Sequence, residues 1–379
     1  MRLFSRISSV RLLAAFLALW IAPTIRAQDQ VTSQVQQGTT PQDQVTAQDA
    51  TSLQDSETIS PVPIFSAGLA YNSFVQGGTD HVHPLVSPVI LVPLGQNWLI
   101  ENRETFEIDL APQPGSNGNY KGYLQKEVDY LQLDYIANRY MTVTVGRFVT
   151  PFGIFNERLY PVWIRDLQTD PLILPISTGP SGAGTGAMVR GGFNATNKVE
   201  INYATYFSTL STYTPLDSDR AFGTRAGIFL PGPRLEVGGS YQHLLQDDHS
   251  NAFGFHFAWQ PPPIPLDIRA EYARSHSGSG YWIESAYRLS QAPIWQNELR
   301  HVQVVARMQQ FYLGQVVDGS LPGVNTNMFE FGMNYYFRDD IRLVSSYGRQ
   351  FAPEGGNMNV WNIGLTYRLA LPVGHGEVR

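Results

Sequence analysis

Residues 329–337 read Phe-Glu-Phe-Gly-Met-Asn-Tyr-Tyr-Phe. Phe329, Phe331, Met333, Tyr335 and Phe337 are large and mostly apolar, and between them stand Glu330, Gly332, Asn334 and Tyr336. Side chains of an extended chain point alternately to opposite faces, so this stretch has one oily face and one wet face. The same rhythm recurs. Val199, Ile201, Tyr203 and Phe207 alternate with Glu200, Asn202, Ala204 and Tyr206; Leu266, Ile268, Ala270 and Tyr272 with Asp267, Arg269 and Glu271; Trp361, Ile363, Leu365, Tyr367 and Leu369 with Asn362, Gly364, Thr366 and Arg368. Many such runs reach about 9–13 residues, long enough for a tilted strand to cross a bilayer. Strands of a soluble sandwich are usually shorter, about 5–6 residues. Apolar side chains facing hydrocarbon and polar ones facing a wet lumen are the signature of a water-filled barrel.

Composition agrees. Charged residues make up 15% of the 379, against roughly a quarter in soluble chains, and aromatics make up 12%, with 19 Tyr and 20 Phe. Mean hydropathy is nonetheless −0.18. Beyond Ala27 no stretch approaches 18 apolar residues, so a membrane-embedded chain would have to span as a closed sheet. The absence of cysteine excludes thiol catalysis, thiolate metal sites and disulfides.

The first 27 residues have the order of a secretory leader. Arg2, Arg6 and Arg11 precede the apolar run Leu12 to Ala22, and Ile25-Arg26-Ala27 resembles a cleavage site. Losing Arg2, Arg6, Arg11 and Arg26 takes the formal charge from −6 to −10, which argues against nucleic acid as a partner. Residues 28–60 are rich in Gln, Thr, Ser and Asp and repeat Gln-Asp-Gln-Val-Thr at 28–32 and 42–46, as expected of a low-complexity periplasmic segment. The barrel is expected over 61–371 and a short tail over 372–379.

Strands are expected near 65–76, 84–94, 97–110, 122–137, 140–148, 185–194, 198–209, 220–230, 234–246, 251–260, 265–276, 280–290, 298–311, 326–337, 341–351 and 358–369. Tight connections such as 94–96, 138–139, 195–197, 231–233 and 338–340 alternate with mostly longer ones at 77–83, 111–121, 149–184, 210–219, 312–325 and 352–357. Outer-membrane barrels sort their connections this way, short inside and long outside. The expected fold is therefore all-β, a transmembrane antiparallel barrel of about sixteen strands.

The third external loop, 149–184, is the longest and carries Phe152, Phe155, Tyr160, Trp163 and Ile164. Exposed, these would form a sticky patch, so the loop is expected to fold inward and narrow the pore. Around its start, Val145-Gly146-Arg147-Phe148-Val149-Thr150-Pro151-Phe152-Gly153 is followed by Asn156-Glu157-Arg158 and by Arg165-Asp166. These residues resemble the G-[RKQ]-F-x-x-P-F-G segment of the phosphate-selective porin (O and P) group. The resemblance implies a trimeric sixteen-stranded pore, constricted by its third loop, with basic residues binding the anion. Two features depart from that group: past the leader only Lys121, Lys126 and Lys198 are lysines, so a lysine-rich anion funnel is absent, and the last strand ends on Leu369 rather than an aromatic.

Arg147, Arg158, Arg165 and Arg190 are the bases expected to contact solute, with Asp166 beside them at the constriction. Arg suits carboxylate or phosphate groups because its donors form a planar fork. Period-two counting points Arg103, Arg225, Arg269, Arg307, Arg288, Arg342 and Arg368 into the lumen, together with Glu101, Glu107, Asp109, Asp134, Glu200, Glu236, Asp267, Glu271, Glu284 and Glu330. With Arg190, eight bases face ten acids. They set a transverse field across a wet path or pair with one another on neighbouring strands.

Enzymatic and metal signals are weak. Asp80, His81 and His83 form D-H-x-H, placed in the first loop, where an exposed His pair is expected rather than a metal site. Gly179-Pro180-Ser181-Gly182-Ala183 lacks the last glycine of a nucleophile elbow, and His256 has no serine partner legible in the sequence. No catalytic residue and no cofactor is expected. The expected function is passive diffusion of small hydrophilic solutes, anions among them, across the outer membrane. The competing reading is a structural or adhesive barrel plugged by its third loop.

Overall fold

The computed structural model describes residues 64–372 except 77, 114–118, 179–181, 214–215, 247–248, 316–321 and 354–355. The expected leader, the 28–60 segment and the tail beyond 372 lie outside the described residues. Sixteen strands follow in order: β1 (Ile64–Gln76), β2 (Thr79–Leu94), β3 (Trp98–Pro112), β4 (Tyr120–Asn138), β5 (Met141–Val149), β6 (Ala183–Thr196), β7 (Val199–Thr209), β8 (Ala221–Leu230), β9 (Leu235–Leu244), β10 (Asn251–Trp259), β11 (Leu266–Arg274), β12 (Gly278–Arg288), β13 (Val302–Leu313), β14 (Thr326–Tyr336), β15 (Ile341–Phe351) and β16 (Met358–Pro372). Each pairs antiparallel with its sequence neighbours, and β1 pairs with β16, closing the barrel. Closure is what lets a sheet sit in hydrocarbon, because no edge is left without hydrogen-bond partners.

The alternation runs as the sequence implies. On β14, Phe331 is 65% and Met333 56% exposed, while Glu330 is 1% and Asn334 0% exposed. The protein is thus inside out relative to a soluble fold, with its oily face outside. Aromatic pairs sit near both rims: Trp98 against Tyr135 (4.6 Å) and Tyr335 against Phe337 (5.0 Å) on the turn side, Tyr241 against Phe253 (5.1 Å) on the loop side. Such girdles suit the two membrane–water interfaces.

The structure corrects several boundaries. β2 begins at Thr79, so the first external connection is 77–78 and His81 and His83 lie on a strand, not in a loop. β13 begins at Val302, because residues 289–301 form a 3-10 turn and a short helix (Gln296–Leu299). That connection is longer than the tight turns around it, so the two sides are not perfectly sorted. In β4 the register to β3 shifts between Arg103 and Glu104, which face Tyr130 and Val128. Asp129 is the extra residue of this bulge, and a bulge reverses the inward and outward assignment beyond it. Above the bulge, β4 pairs only with β3; its pairing with β5 covers Leu131–Asn138.

The lumen is not uniformly polar. Phe148, Met188, Ala204, Tyr206 and Ala221 form one buried apolar cluster on β5 to β8. A larger one joins Ala252, Ala273, Trp282 and Phe311 of the wall to Phe152, Ile154, Phe155, Leu159, Ile173 and Ile176 of the third loop. The loop is therefore folded inward and supplies six of the ten buried residues of this internal core.

Candidate pore constriction

The third loop leaves β5 at Val149 and turns at Gly153, whose φ is +63°. A Cβ there would also push against the Glu271 carboxylate, so glycine is favoured twice over. The Glu271 carboxylate accepts hydrogen bonds from the backbone N–H of Ile154 (3.1 Å) and Phe155 (3.2 Å). These amides open the π-helical turn Phe155–Leu159, so the acid of the wall satisfies donors the turn leaves orphaned. Asn156 Nδ2 donates to the carbonyls of Thr150 and Gly182, each at 3.0 Å, tying the two ends of the loop together.

Beyond this neck the loop meets one wall strand after another. Gly153 N–H donates to Ser240 of β9 (3.0 Å), Leu172 N–H to Gln309 of β13 (2.9 Å), and Asn334 of β14 donates to the Asp166 carbonyl (2.9 Å). Arg342 of β15 donates to the Arg165 carbonyl (2.5 Å). The ring of Trp163 occupies the space beside Gly68 of β1 that a larger side chain would fill. Tyr160 stacks near both Arg103 of β3 (5.8 Å) and Arg165 (5.2 Å), and burial holds its hydroxyl well above the usual range.

The expected site residues fall into distinct groups. Arg158 makes a two-pronged ion pair with Glu236 (2.6 and 2.9 Å). Arg225 bonds Glu157 (2.7 Å) and Glu236 (3.0 Å), and His256 lies 3.3 Å from Glu236. Burial would raise the pKa of Glu157, but Arg225, Arg158 and Arg190 hold it below the ordinary carboxylate range. Asp166 lies 3.3 Å from Arg269 and 3.7 Å from Arg342. Arg269 also pairs with Asp267, and Arg307 with Glu330 (2.9 Å) and with the Thr169 carbonyl of the loop (2.7 Å). Arg190 sits 3.3 Å from Asp134.

Two of the bases assigned to solute contact are occupied elsewhere. Arg165 is 7% exposed; it donates to the carbonyls of Leu159 (3.2 Å) and Tyr160 (2.7 Å) and to Asp170 (2.5 Å), and so braces the loop itself. Arg147 is 4% exposed and bonds the carbonyls of Val128 (2.5 Å) and Asp217, turning towards β4 and the fourth external loop. Among the ion-paired lumen bases described, Arg158 is the most exposed, its side chain at 35%.

Asp129 was not among the acids counted as lumen-facing, because period-two counting from Asp134 points it at lipid. The bulge turns it inward, where it accepts from Arg103 (2.8 Å) and Thr105 (2.7 Å). The one cue in the sequence is the cost of a carboxylate facing hydrocarbon at that position.

No protein-family model matches the chain, and no curated relative matches it. Solved structures do. The chain superposes on a loop L8 deletion mutant of OmpT, an outer membrane protein of Vibrio cholerae, with a TM-score of 0.55 at 9% identity, covering 82% of this chain and 99% of that one. For Salmonella typhi OmpF in complex with daunomycin the TM-score is 0.55 at 10% identity, covering 81% and 97%. For Pseudomonas putida OprB at low pH it is 0.53 at 8% identity, covering 82% and 92%. At such identities the likeness is one of fold. The chain has the porin-like fold: a closed sixteen-stranded antiparallel barrel.

Proposed function

We propose that the protein is a narrow passive pore for small hydrophilic solutes, with a modest preference for anions. The observation that carries this reading is the third loop crossing the lumen with Arg158 at its watery side, fixed by Glu236 yet a third exposed. An arginine held in place but still wet sets a fixed positive charge beside the path of a passing carboxylate or phosphate. Arg190, on the wall near Glu157, adds a second cation to the path. Asp170, 52% exposed at its side chain, supplies the opposite charge, and a constriction bearing both signs filters by size and by field rather than binding tightly. Ion pairing of Arg103, Arg225, Arg269, Arg307 and Arg342 supports weak rather than strict anion selection. The resemblance over residues 145–166 supports a homotrimer and an anionic solute.

The competing reading, a barrel closed by its own loop, is favoured by the loop's reach from Ser240 to the wall at Gly68. Single-channel recording in planar bilayers separates the two. The pore reading expects stepwise currents, and Arg158→Glu should move the reversal potential towards cation preference. Silence of the folded, heat-modifiable protein would remove the pore reading.

A further inference from the structure

His81 and His83 stand two apart on β2, so both side chains leave the same face of the sheet. Asp109 of β3 lies beside them, because Val82 pairs with Leu110. These positions are close to the 77–78 and 113–119 connections, at the external mouth of the barrel. One ligand atom from each of His81, His83 and Asp109 lies within 4.8 Å of the others. Asp109 Oδ1 is 3.4 Å from His81 Nδ1 and 3.4 Å from His83 Nε2. These separations are long for charge-assisted hydrogen bonds, which lie near 2.7–2.9 Å. They match the edge of a tetrahedral site: two ligand atoms each about 2.0–2.1 Å from a zinc ion stand about 3.3–3.4 Å apart.

The surrounding contacts have the order of a metal site. Glu107 bonds Nδ1 of His83; a neutral imidazole donating its Nδ1 proton to that carboxylate would turn the Nε2 lone pair towards Asp109. A carboxylate behind a histidine is the usual support of a metal-bound imidazole. Tyr123 donates to the other Asp109 oxygen, Oδ2 (3.1 Å), leaving Oδ1 towards the two histidines. All three candidate ligands are half-buried on paired strands rather than on a loose loop.

We infer that His81, His83 and Asp109 form a binding site for a divalent transition-metal ion at the external mouth of the barrel, with Glu107 and Tyr123 orienting the ligands. Two imidazoles and one carboxylate suit Zn2+, Cu2+ or Ni2+ better than Mg2+ or Ca2+, which prefer all-oxygen shells. Three protein ligands leave a tetrahedral ion one position open to water from outside.

The test uses untagged, folded protein in detergent and the metal alone. Calorimetry with Zn2+ should give one saturable equivalent per chain. Asp109→Ala and His83→Ala should abolish it, and Glu107→Ala should weaken it by about 10- to 100-fold. With Cu2+, electron paramagnetic resonance of the unaltered protein should show coupling to two imidazole nitrogens, falling to one in His81→Ala. That spectrum needs no variant to establish two-histidine ligation. Failure of the unaltered protein to take up one equivalent would overturn the site, as would uptake unchanged in Asp109→Ala. So would loss in His243→Ala, which alters the other histidine pair, stacked with His249 at 6.2 Å.

Discussion

The wall from β8 to β15 and the wall from β2 to β5 solve the same problem differently. Both bury charged side chains in a lumen. On the first wall the partners come largely from the third loop: Arg225 takes Glu157, Arg269 takes Asp166, Arg307 takes the Thr169 carbonyl, and Glu271 takes two loop amides. On the second the partners come from the wall itself: Arg103 takes Asp129, Thr144 and Gln132 take Asp134, and Gln132 takes Glu101. One wall takes its partners from an inserted segment and the other takes them mainly from its own strands. A buried charge robbed of its partner costs about 3–5 kcal/mol, so the two walls should respond very differently to changes in the loop.

The largest effect is expected from replacing residues 154–178 with a short Gly-Ser bridge. Single-channel conductance should rise several-fold, and hydrogen exchange should accelerate in β9 to β15 while β2 to β4 stay protected. Equal loss on both walls would erase the distinction.

Next in size is a pair of single changes. Glu236→Ala removes the one acid shared by Arg158, Arg225 and His256 and should destabilise the barrel by about 3–5 kcal/mol in urea titration, with unsteady conductance as the loop loses its clamp. Asp129→Ala should also destabilise but leave conductance at the unaltered level, since its partners, Arg103 and Thr105, are in the wall. Unsteady current in Asp129→Ala would blur the comparison.

Gly153→Ala is expected to cost about 1–2 kcal/mol from the left-handed backbone alone, and the collision with Glu271 adds to it. The readout is a lower unfolding midpoint together with more frequent transitions between conductance levels.

The smallest effect concerns pH. Glu157 has its folded pKa depressed by its arginines, so the stability it contributes is fully present above the unfolded value, near 4.3, and is lost as pH falls through the folded value. Conductance should therefore hold steady from pH 7 to pH 5 and become unsteady only below about pH 4. Arg225→Gln should move that onset upward, and an onset near pH 6 in the unaltered protein would assign the change to another group.

Most of the strand pattern could be read from the sequence because a spanning strand repeats its two-residue rhythm over many residues, as Phe329 to Phe337 does. The inward course of the third loop was legible for a related reason: Phe152, Phe155 and Trp163 have nowhere else to be covered. What could not be read were departures from that rhythm and bonds to backbone. Asp129 escapes a period-two count because one inserted residue reverses the face. Arg165 reads as a pore charge, yet besides Asp170 its partners are carbonyls of its own loop, and carbonyls carry no residue type. The pairing of His81 and His83 with Asp109 depends on where β2 begins, and the strand expected over 84–94 starts at Thr79 instead.

Asn156 fastens the start of the third loop to its finish through the Thr150 and Gly182 carbonyls. The two stems of this insert are thereby held at a set spacing irrespective of what lies between them. Selection can then exchange the intervening side chains, and with them the bore and polarity of the channel, while the staves keep their alignment. A single amide separates the part of the molecule that endures from the part that adapts.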